Sequence, residues 1–264
     1  MKSLLKEWGR IVSYISGKDL VLFLDFDGTL APLAETPAKA RMPHATRQLL
    51  QRLSFFAGVR IAIISGRSLG SLKEKVSIPH LVYAGNHGYE ISGDSIYFTP
   101  PLDKKYLMVL QNIRKNLSND LSSIPGILIE DKRYTIAIHY RRVPARYLDR
   151  VKKVLDQNIL PHIKMIKVKT GKKVYEIQPP LSWDKGKTVS WLLRNKMWLS
   201  HERKRAVVYI GDDTTDEDAF KTLKKTGITV IVGRRGKTNA RYYLGQCKDV
   251  VTFLERLMHH YTQK

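Results

Sequence analysis

Short uninterrupted apolar runs alternate along this chain with segments whose apolar residues recur at helical spacing. Val21-Leu22-Phe23-Leu24 is the first such run, and it ends in Asp25-Phe26-Asp27-Gly28-Thr29. A run this short, with no polar alternation, reads as a strand buried on both faces. Helical spacing follows through Ala45, Leu49, Leu50 and Leu53. A second run, Val59 to Ile64, ends at Ser65-Gly66-Arg67, and a third, Leu81 to Ala84, enters Gly85-Asn86-His87-Gly88. Strand, helix, strand in this order predicts a parallel sheet of the α/β class.

From residue 103 the pattern changes. It predicts a helix (Tyr106 to Leu117), two strands (Gly126 to Glu130 and Tyr134 to Tyr140), a helix (Ala145 to Asn158) and two more strands (Ile163 to Lys169 and Lys173 to Pro179). The tight Asp131-Lys132-Arg133 connection implies an antiparallel sheet. The first pattern then resumes: a helix from Trp183 to Met197, a strand Arg205 to Ile210 ending in Gly211-Asp212-Asp213, a strand Ile228 to Val232, and an amphipathic helix from Val250 to Tyr261. The expected organisation is a Rossmann-like α/β core with a mainly parallel sheet, built from residues 1–102 and 181–264. An α+β domain with an antiparallel sheet is inserted at 103–180.

Composition narrows the classes. With 264 residues, 43% of them hydrophobic and 27% charged, the chain has the make-up of a globular protein with a sizeable core. No stretch reaches the roughly 18 apolar residues of a membrane span. Lys6, Glu7, Arg10, Lys18 and Asp19 interrupt the first twenty residues, which argues against a signal peptide. Cys247 is the one cysteine, which excludes an internal disulfide framework and points to a reducing cytoplasm. The net charge of +22 favours anionic partners, and residues 103–180 hold 17 basic against 7 acidic side chains. No basic stripe interleaved with aromatics and no nucleic-acid motif accompanies it, so a phosphorylated small molecule is the expected partner.

Three strands end in small or charged groups: Asp25 and Asp27, Ser65, and Asp212 and Asp213 followed by Asp216. In open α/β sheets ligands bind beyond the carboxyl ends of the strands, so these pieces should converge. Five of the 24 acids lie within positions 212–218 of a strongly basic chain. Massed carboxylates need a cation, and hard oxygen donors favour Mg²⁺. Asp25 and Asp27, two apart on an extended chain, can divide nucleophile and proton-transfer roles between them. Gly186-Lys187-Thr188 is not the end of a phosphate-binding loop, because Leu181 stands where that motif needs glycine.

In order along the chain, Asp25-Phe26-Asp27-Gly28-Thr29, Ser65, Asp184-Lys185-Gly186-Lys187 and Gly211-Asp212-Asp213-x-x-Asp216 resemble the four motifs of the haloacid dehalogenase superfamily of phosphotransferases. The resemblance implies that Asp25 attacks phosphorus to form an aspartyl-phosphate. It implies that Asp27 protonates the leaving sugar oxygen and then activates water. Ser65 and a lysine would hold the phosphoryl group. Lys185, directly before Gly186, is the favoured lysine, with Lys187 the alternative. Mg²⁺ would sit on Asp25, the Asp27 carbonyl and Asp212, with Asp213 and Asp216 supporting them.

The insert matches the position of the larger cap in one branch of that superfamily. Within the branch, nearly the whole chain is similar to the trehalose-6-phosphate phosphatase family. The similarity is carried by Ile64-Ser65-Gly66-Arg67, Gly85-Asn86-His87-Gly88-Tyr89-Glu90, Glu130-Asp131-Lys132, His139-Tyr140-Arg141, Gly171 to Pro179, Trp183 to Lys187 and Gly211 to Phe220. It implies hydrolysis of trehalose 6-phosphate, with Glu130, Arg141, Lys172 and Glu176 gripping the disaccharide. Arg67, Asn86 and His87 are candidate substrate contacts beside Ser65, with bracing of the loop as the other role open to Arg67 and His87. A phosphatase of the same branch acting on sucrose or mannosylglycerate phosphates is the nearest alternative. The expected form is a stand-alone phosphatase without an attached synthase domain.

Overall fold

A computed structural model of the chain describes residues 1–93, 95–171, 173–199, 204–233 and 236–263. It divides into two compact units, Met1–Thr99 with Trp183–Lys264, and Pro100–Ser182.

In chain order the first unit opens with β1 (Lys2–Ser3), α1 (Trp8–Ile15), β2 (Asp19–Leu24), α2 (His44–Ser54), β3 (Val59–Ile64), α3 (Leu69–Val76), β4 (Val82–Gly85), β5 (Glu90–Gly93) and β6 (Ile96–Phe98). The second unit holds α4 (Lys104–Asp120), β7 (Leu128–Asp131), β8 (Ile136–His139), α5 (Leu148–Ile159), β9 (Lys167–Gly171) and β10 (Val174–Gln178). The chain then returns to the first unit with α6 (Lys185–Arg194), β11 (Arg205–Gly211), α7 (Glu217–Leu223), β12 (Ile228–Val232), β13 (Tyr242–Leu244) and α8 (Cys247–Thr262).

Among the described residues the first unit has one nine-stranded sheet, ordered β1-β13-β12-β11-β2-β3-β4-β5-β6. Neighbours pair in parallel as far as β4, and β5 and β6 close the edge as an antiparallel hairpin. Strand β2 shows why its run is continuously apolar. Leu20, Leu22 and Leu24 join one core with Ile11, Ile15, Leu50, Leu53, Phe253 and Leu257, while Val21 and Phe23 join a second with Val189, Leu192, Phe220 and Leu223. Helices cover both faces, so alternation has nothing polar to face.

In the second unit the antiparallel order is β7-β8-β10-β9. Tyr106, Leu110, Ile113 and Leu117 form a stripe along α4 that packs, with Val151, Leu155 and Ile159 of α5, on Ile136, Ile138 and Ile177 of the sheet. The Tyr106 hydroxyl donates to the Tyr134 carbonyl at 2.6 Å.

Some local expectations shift. The helix expected over Trp183 to Met197 runs from Lys185 to Arg194, because Asp184 caps it and the Trp183 ring stacks on Phe98 instead. Helix α1 and the β5–β6 hairpin have no counterpart in the hydrophobic pattern. Both are short, and tertiary burial of Ile11, Ile15 and Ile91 holds them in place.

Candidate active site

Strand β2 lies between β11 and β3, with Leu24 opposite Ile210 on one side and Ile63 on the other. Asp25 follows Leu24, Ser65 follows Ile64 at the end of β3 and Asp212 follows Gly211 at the end of β11, so all three emerge side by side at the carboxyl end of the sheet. The Asp25 N–H extends the ladder by donating to the Ile210 carbonyl at 2.9 Å. Beyond it the chain folds back, with the Gly28 N–H on the Ala31 carbonyl at 2.7 Å. Gly28 has φ +81°, and a Cβ there would stand 2.3 Å from Asp212 Oδ2. Any side chain would collide with the Asp212 carboxylate and displace it.

Lys185 occupies the first position of α6. The Asp184 carboxylate caps that helix by accepting the Lys187 N–H at 2.8 Å. The Lys185 side chain is 2% exposed, and its Nζ donates to Asp25 Oδ1 at 2.6 Å and to Asp216 Oδ1 at 2.7 Å. Lys187 lies exposed on the helix surface. Geometry thus brings Lys185, and not Lys187, to the carboxylates. Asp216 is fully buried and accepts three further hydrogen bonds, from the Tyr209 hydroxyl at 2.7 Å and from the N–H groups of Asp212 and Asp213 at 3.1 and 2.9 Å. A Cβ on Gly211 would lie 2.3 Å from the Asp216 carboxyl carbon, so glycine lets that carboxylate lie flat on the backbone. Asp213 is exposed and caps the turn Thr214–Asp216 in a reciprocal box with Asp216.

Burial pushes the Asp25 carboxyl well above the ordinary range, and neighbouring Asp216 and Asp212 push it further, against the pull of Lys185. Burial alone would lower the Lys185 ammonium, but Asp216 and Asp25 hold it above its usual value. Three buried carboxylates thus face one ammonium. Oxygen atoms of Asp25, Asp212 and Asp216 lie within 4.8 Å of one another. The surplus negative charge and the all-oxygen donor set fit a hard divalent cation. Four donors already fill the lone pairs of Asp216, which leaves Asp25 and Asp212 as the carboxylates to hold the ion.

Arg67 is 6% exposed and grips Asp27 bidentately, with a third hydrogen bond from Nη2 to the Pro37 carbonyl at 2.8 Å. Ser65 is buried, and its Oγ accepts the Arg67 N–H at 3.2 Å. The loop after β4 docks on this turn: the Asn86 N–H donates to the Arg67 carbonyl at 2.7 Å and the His87 N–H to the Ser65 carbonyl at 2.9 Å. These bonds hold Asn86 and His87 in the left-handed region, φ 51° and 57°. Asn86 is fully buried with its amide on Glu90 Oε2 at 3.1 Å, so it braces the loop from inside. The His87 ring lies against Gly66. Of the expected substrate contacts around Ser65, Arg67 and Asn86 are occupied in holding the loops.

Within the second unit, Glu130 of β7 and Glu176 of β10 both stand opposite Ala137 of β8. Residues directly opposite share a face, so the two carboxylates flank a small residue on one side of the sheet. His139 Nε2 lies 3.1 Å from Glu130 Oε2, while Glu176 accepts from Lys132 Nζ at 3.3 Å and Gln178 Nε2 at 2.7 Å. Arg141 falls in an exposed turn two residues past the end of β8. The strand stops there because the chain turns at Tyr140, whose carbonyl accepts the Val143 N–H. Lys172 lies outside the described residues. Sequence reasoning assigned no site role to Tyr209, read only as one apolar strand residue, or to Lys132, read as a turn residue within the Glu130-Asp131-Lys132 segment. A tyrosine two residues before Gly211-Asp212 was the available signal for the first.

The fold is that of the haloacid dehalogenase-like hydrolases. A haloacid dehalogenase-like hydrolase from Bacteroides thetaiotaomicron matches with TM-score 0.63 at 20% identity, over 91% of this chain and all of that one. The C-terminal domain of a trehalose-6-phosphate phosphatase from C. albicans matches with TM-score 0.79 at 23% identity, over 98% of this chain and 99% of that one. The chain belongs to the trehalose-phosphatase family, whose model matches residues 23–246. Trehalose-phosphate phosphatase B of Arabidopsis thaliana is 34% identical over 97% of this chain and 71% of that protein, and the probable trehalose-phosphate phosphatase E of the same plant is 34% identical over 97% and 75%.

Proposed function

We propose that this protein hydrolyses trehalose 6-phosphate to trehalose and inorganic phosphate, the closing reaction of trehalose synthesis, through an aspartyl-phosphate on Asp25. The observation that carries the reading is the buried Lys185 ammonium held between Asp25 and Asp216 at 2.6 and 2.7 Å. It places a fixed positive charge against the carboxylate assigned here as the nucleophile.

An Asp25 oxygen attacks phosphorus as the bond from phosphorus to the sugar C6 oxygen breaks, and Asp27 delivers the proton that the leaving oxygen needs. Lys185 and the Ser65 hydroxyl donate to the equatorial oxygens, where charge accumulates. Water then attacks the aspartyl-phosphate, Asp27 takes its proton, and phosphate departs with Asp25 restored. Mg²⁺ on Asp25, the Asp27 carbonyl and Asp212 would offset the negative charge that the three carboxylates and the substrate bring together. Asp213 and Asp216 hold this end of the sheet in shape. Arg67, Asn86 and His87, around Ser65, are the candidate substrate contacts of these loops, the first two also bracing them. Glu130, Arg141, Lys172 and Glu176 are the candidates for the sugar hydroxyls, since carboxylates accept from them while Arg and Lys donate. The single cysteine suits a cytoplasmic location.

The test is phosphate release from trehalose 6-phosphate beside sucrose 6-phosphate, glucose 6-phosphate, mannosyl-3-phosphoglycerate and p-nitrophenyl phosphate, with Mg²⁺ and with EDTA. The expected result is Mg²⁺-dependent preference for the first ester, lost in Asp25→Asn with circular dichroism unchanged. Equal or better turnover of another ester overturns the substrate assignment, and turnover by the Asp25→Asn protein overturns the nucleophile.

A further inference from the structure

We infer that Tyr209 is a positioning residue of this site: its hydroxyl occupies one lone pair of Asp216 and so sets how far Lys185 is drawn away from Asp25. The inference rests on the phosphatase reading given above and assigns a role to a residue that none of the four motifs contains.

Tyr209 is fully buried on β11, its ring centroid 6.3 Å from that of Phe23 and edge-on to Phe220 at 5.7 Å. This packing fixes the ring and aims the hydroxyl at Asp216 Oδ1, 2.7 Å away. The same oxygen accepts Lys185 Nζ at 2.7 Å, while Oδ2 accepts the two backbone N–H groups. A carboxylate offers about four lone-pair sites, and here all four are used. Burial raises the phenol well above its ordinary value and Asp216 raises it further, so the hydroxyl stays protonated and can only donate to that carboxylate.

Lys185 must serve two acceptors at once. It contacts Asp25 before transfer and the phosphoryl oxygens during it, and Asp216 competes for it throughout. In a water-excluded site that competition is strong, because charge there is weakly screened. The Tyr209 hydroxyl spreads the Asp216 charge over one more donor and weakens its hold on the ammonium. Without it, Oδ1 keeps Lys185 as its single partner, and the ammonium moves toward Asp216. Tyr209 touches neither the nucleophile nor the transferring group, so its effect belongs in kcat rather than KM.

The experiment is a double-mutant cycle of Tyr209→Phe with Asp216→Asn, read by kcat and KM on trehalose 6-phosphate and p-nitrophenyl phosphate, and by calorimetric binding of vanadate in the presence of Mg²⁺. Phenylalanine keeps the ring packing. Tyr209→Phe is expected to lower kcat and weaken vanadate binding about tenfold, the size of one charge-assisted hydrogen bond, with KM within about twofold of wild type. In the Asp216→Asn background the same change should have little further effect on either readout, since the charge it tempers is gone. An unchanged kcat and vanadate affinity, a loss confined to KM, or an equal loss in both backgrounds overturns the inference. If no ester is turned over while vanadate binding still shows the coupling, the phosphatase reading fails and the role of Tyr209 stands.

Discussion

Arg67 clasps Asp27 with two nitrogens, Nε at 2.7 Å from Oδ2 and Nη2 at 2.6 Å from Oδ1. The guanidinium is almost wholly enclosed and also sits 5.2 Å over the Phe26 ring, while the aspartate is 35% exposed. Each carboxylate oxygen is therefore engaged by one donor and keeps a further lone-pair site for the proton that the proposed mechanism assigns to it. The arginine orients the acid and restrains it. Lysine cannot reproduce the planar fork, so Arg67→Lys is expected to lower kcat about tenfold or more by leaving Asp27 misaligned. Steady-state kinetics check this; a wild-type kcat would mean that the clasp has no bearing on the proton transfer.

Lys185 and Lys187 lie two apart and in different worlds. Removing the first by Lys185→Ala strips the buried carboxylates of their contact cation, a loss of about 3–5 kcal/mol in the metal-free protein. Activity should fall at least a hundredfold, as for other groups that stabilise charge in a transition state. Lys187→Ala, on the helix surface, should leave both within a few tenths of a kcal/mol of wild type. Urea unfolding in EDTA and phosphate release distinguish them, and comparable losses in the two variants would contradict the geometry.

Gly28→Ala tests the contact between two loops. The new methyl meets the Asp212 carboxylate at 2.3 Å on a backbone with φ +81°. The left-handed conformation alone costs roughly 1–2 kcal/mol. The variant should need more Mg²⁺ for half-maximal activity, because Asp212 is displaced. An unchanged Mg²⁺ requirement would show that Asp212 has room to adapt.

Glu217 anchors the stretch before β13: it accepts the Thr238 hydroxyl and both the backbone and side-chain N–H groups of Asn239, the latter two at 2.8 Å. Burial would raise its carboxyl, but these donors hold it below the usual value near 4.5. A depressed folded value means that the unfolded chain binds the proton first, so the stability it confers is present above about 4.5 and lost as pH falls through the folded value. Glu217→Gln should therefore be less stable than wild type at pH 7 by about 1–2 kcal/mol, and the gap should narrow below pH 4.5. Denaturant midpoints at the two pH values measure it. A gap that widens in acid would contradict the direction.

Much of this was legible in the residues themselves. The apolar runs at Val21, Val59 and Arg205 announced strands buried on both faces, and the polar groups after them announced a common end of the sheet, because strand period and strand ends are properties of neighbouring residues. The count of acids at 212–218 pointed to a cation, but in the structure Asp213 caps a turn, Asp216 is filled by four donors and Glu217 holds Thr238 and Asn239, so of these only Asp212 and Asp216 gather with Asp25. The hairpin of β5 and β6 and the eight-residue α1 were not legible, since elements so short take their stability from what covers them.

The amino-acid order by itself determined the α/β class, the antiparallel insert and the set of carboxylates that gather at one sheet edge. Only the tertiary structure decided who partners whom: that Lys185 rather than Lys187 meets Asp25 across 160 residues of sequence, that Arg67 is spent on Asp27, that Lys132 belongs to Glu176, and that Tyr209 completes Asp216. Pattern and spacing follow from the geometry of a single strand or helix. Charge pairing follows from through-space distance in a weakly screened interior, where an ångström decides which acceptor holds a proton or an ammonium, and no local pattern encodes that distance.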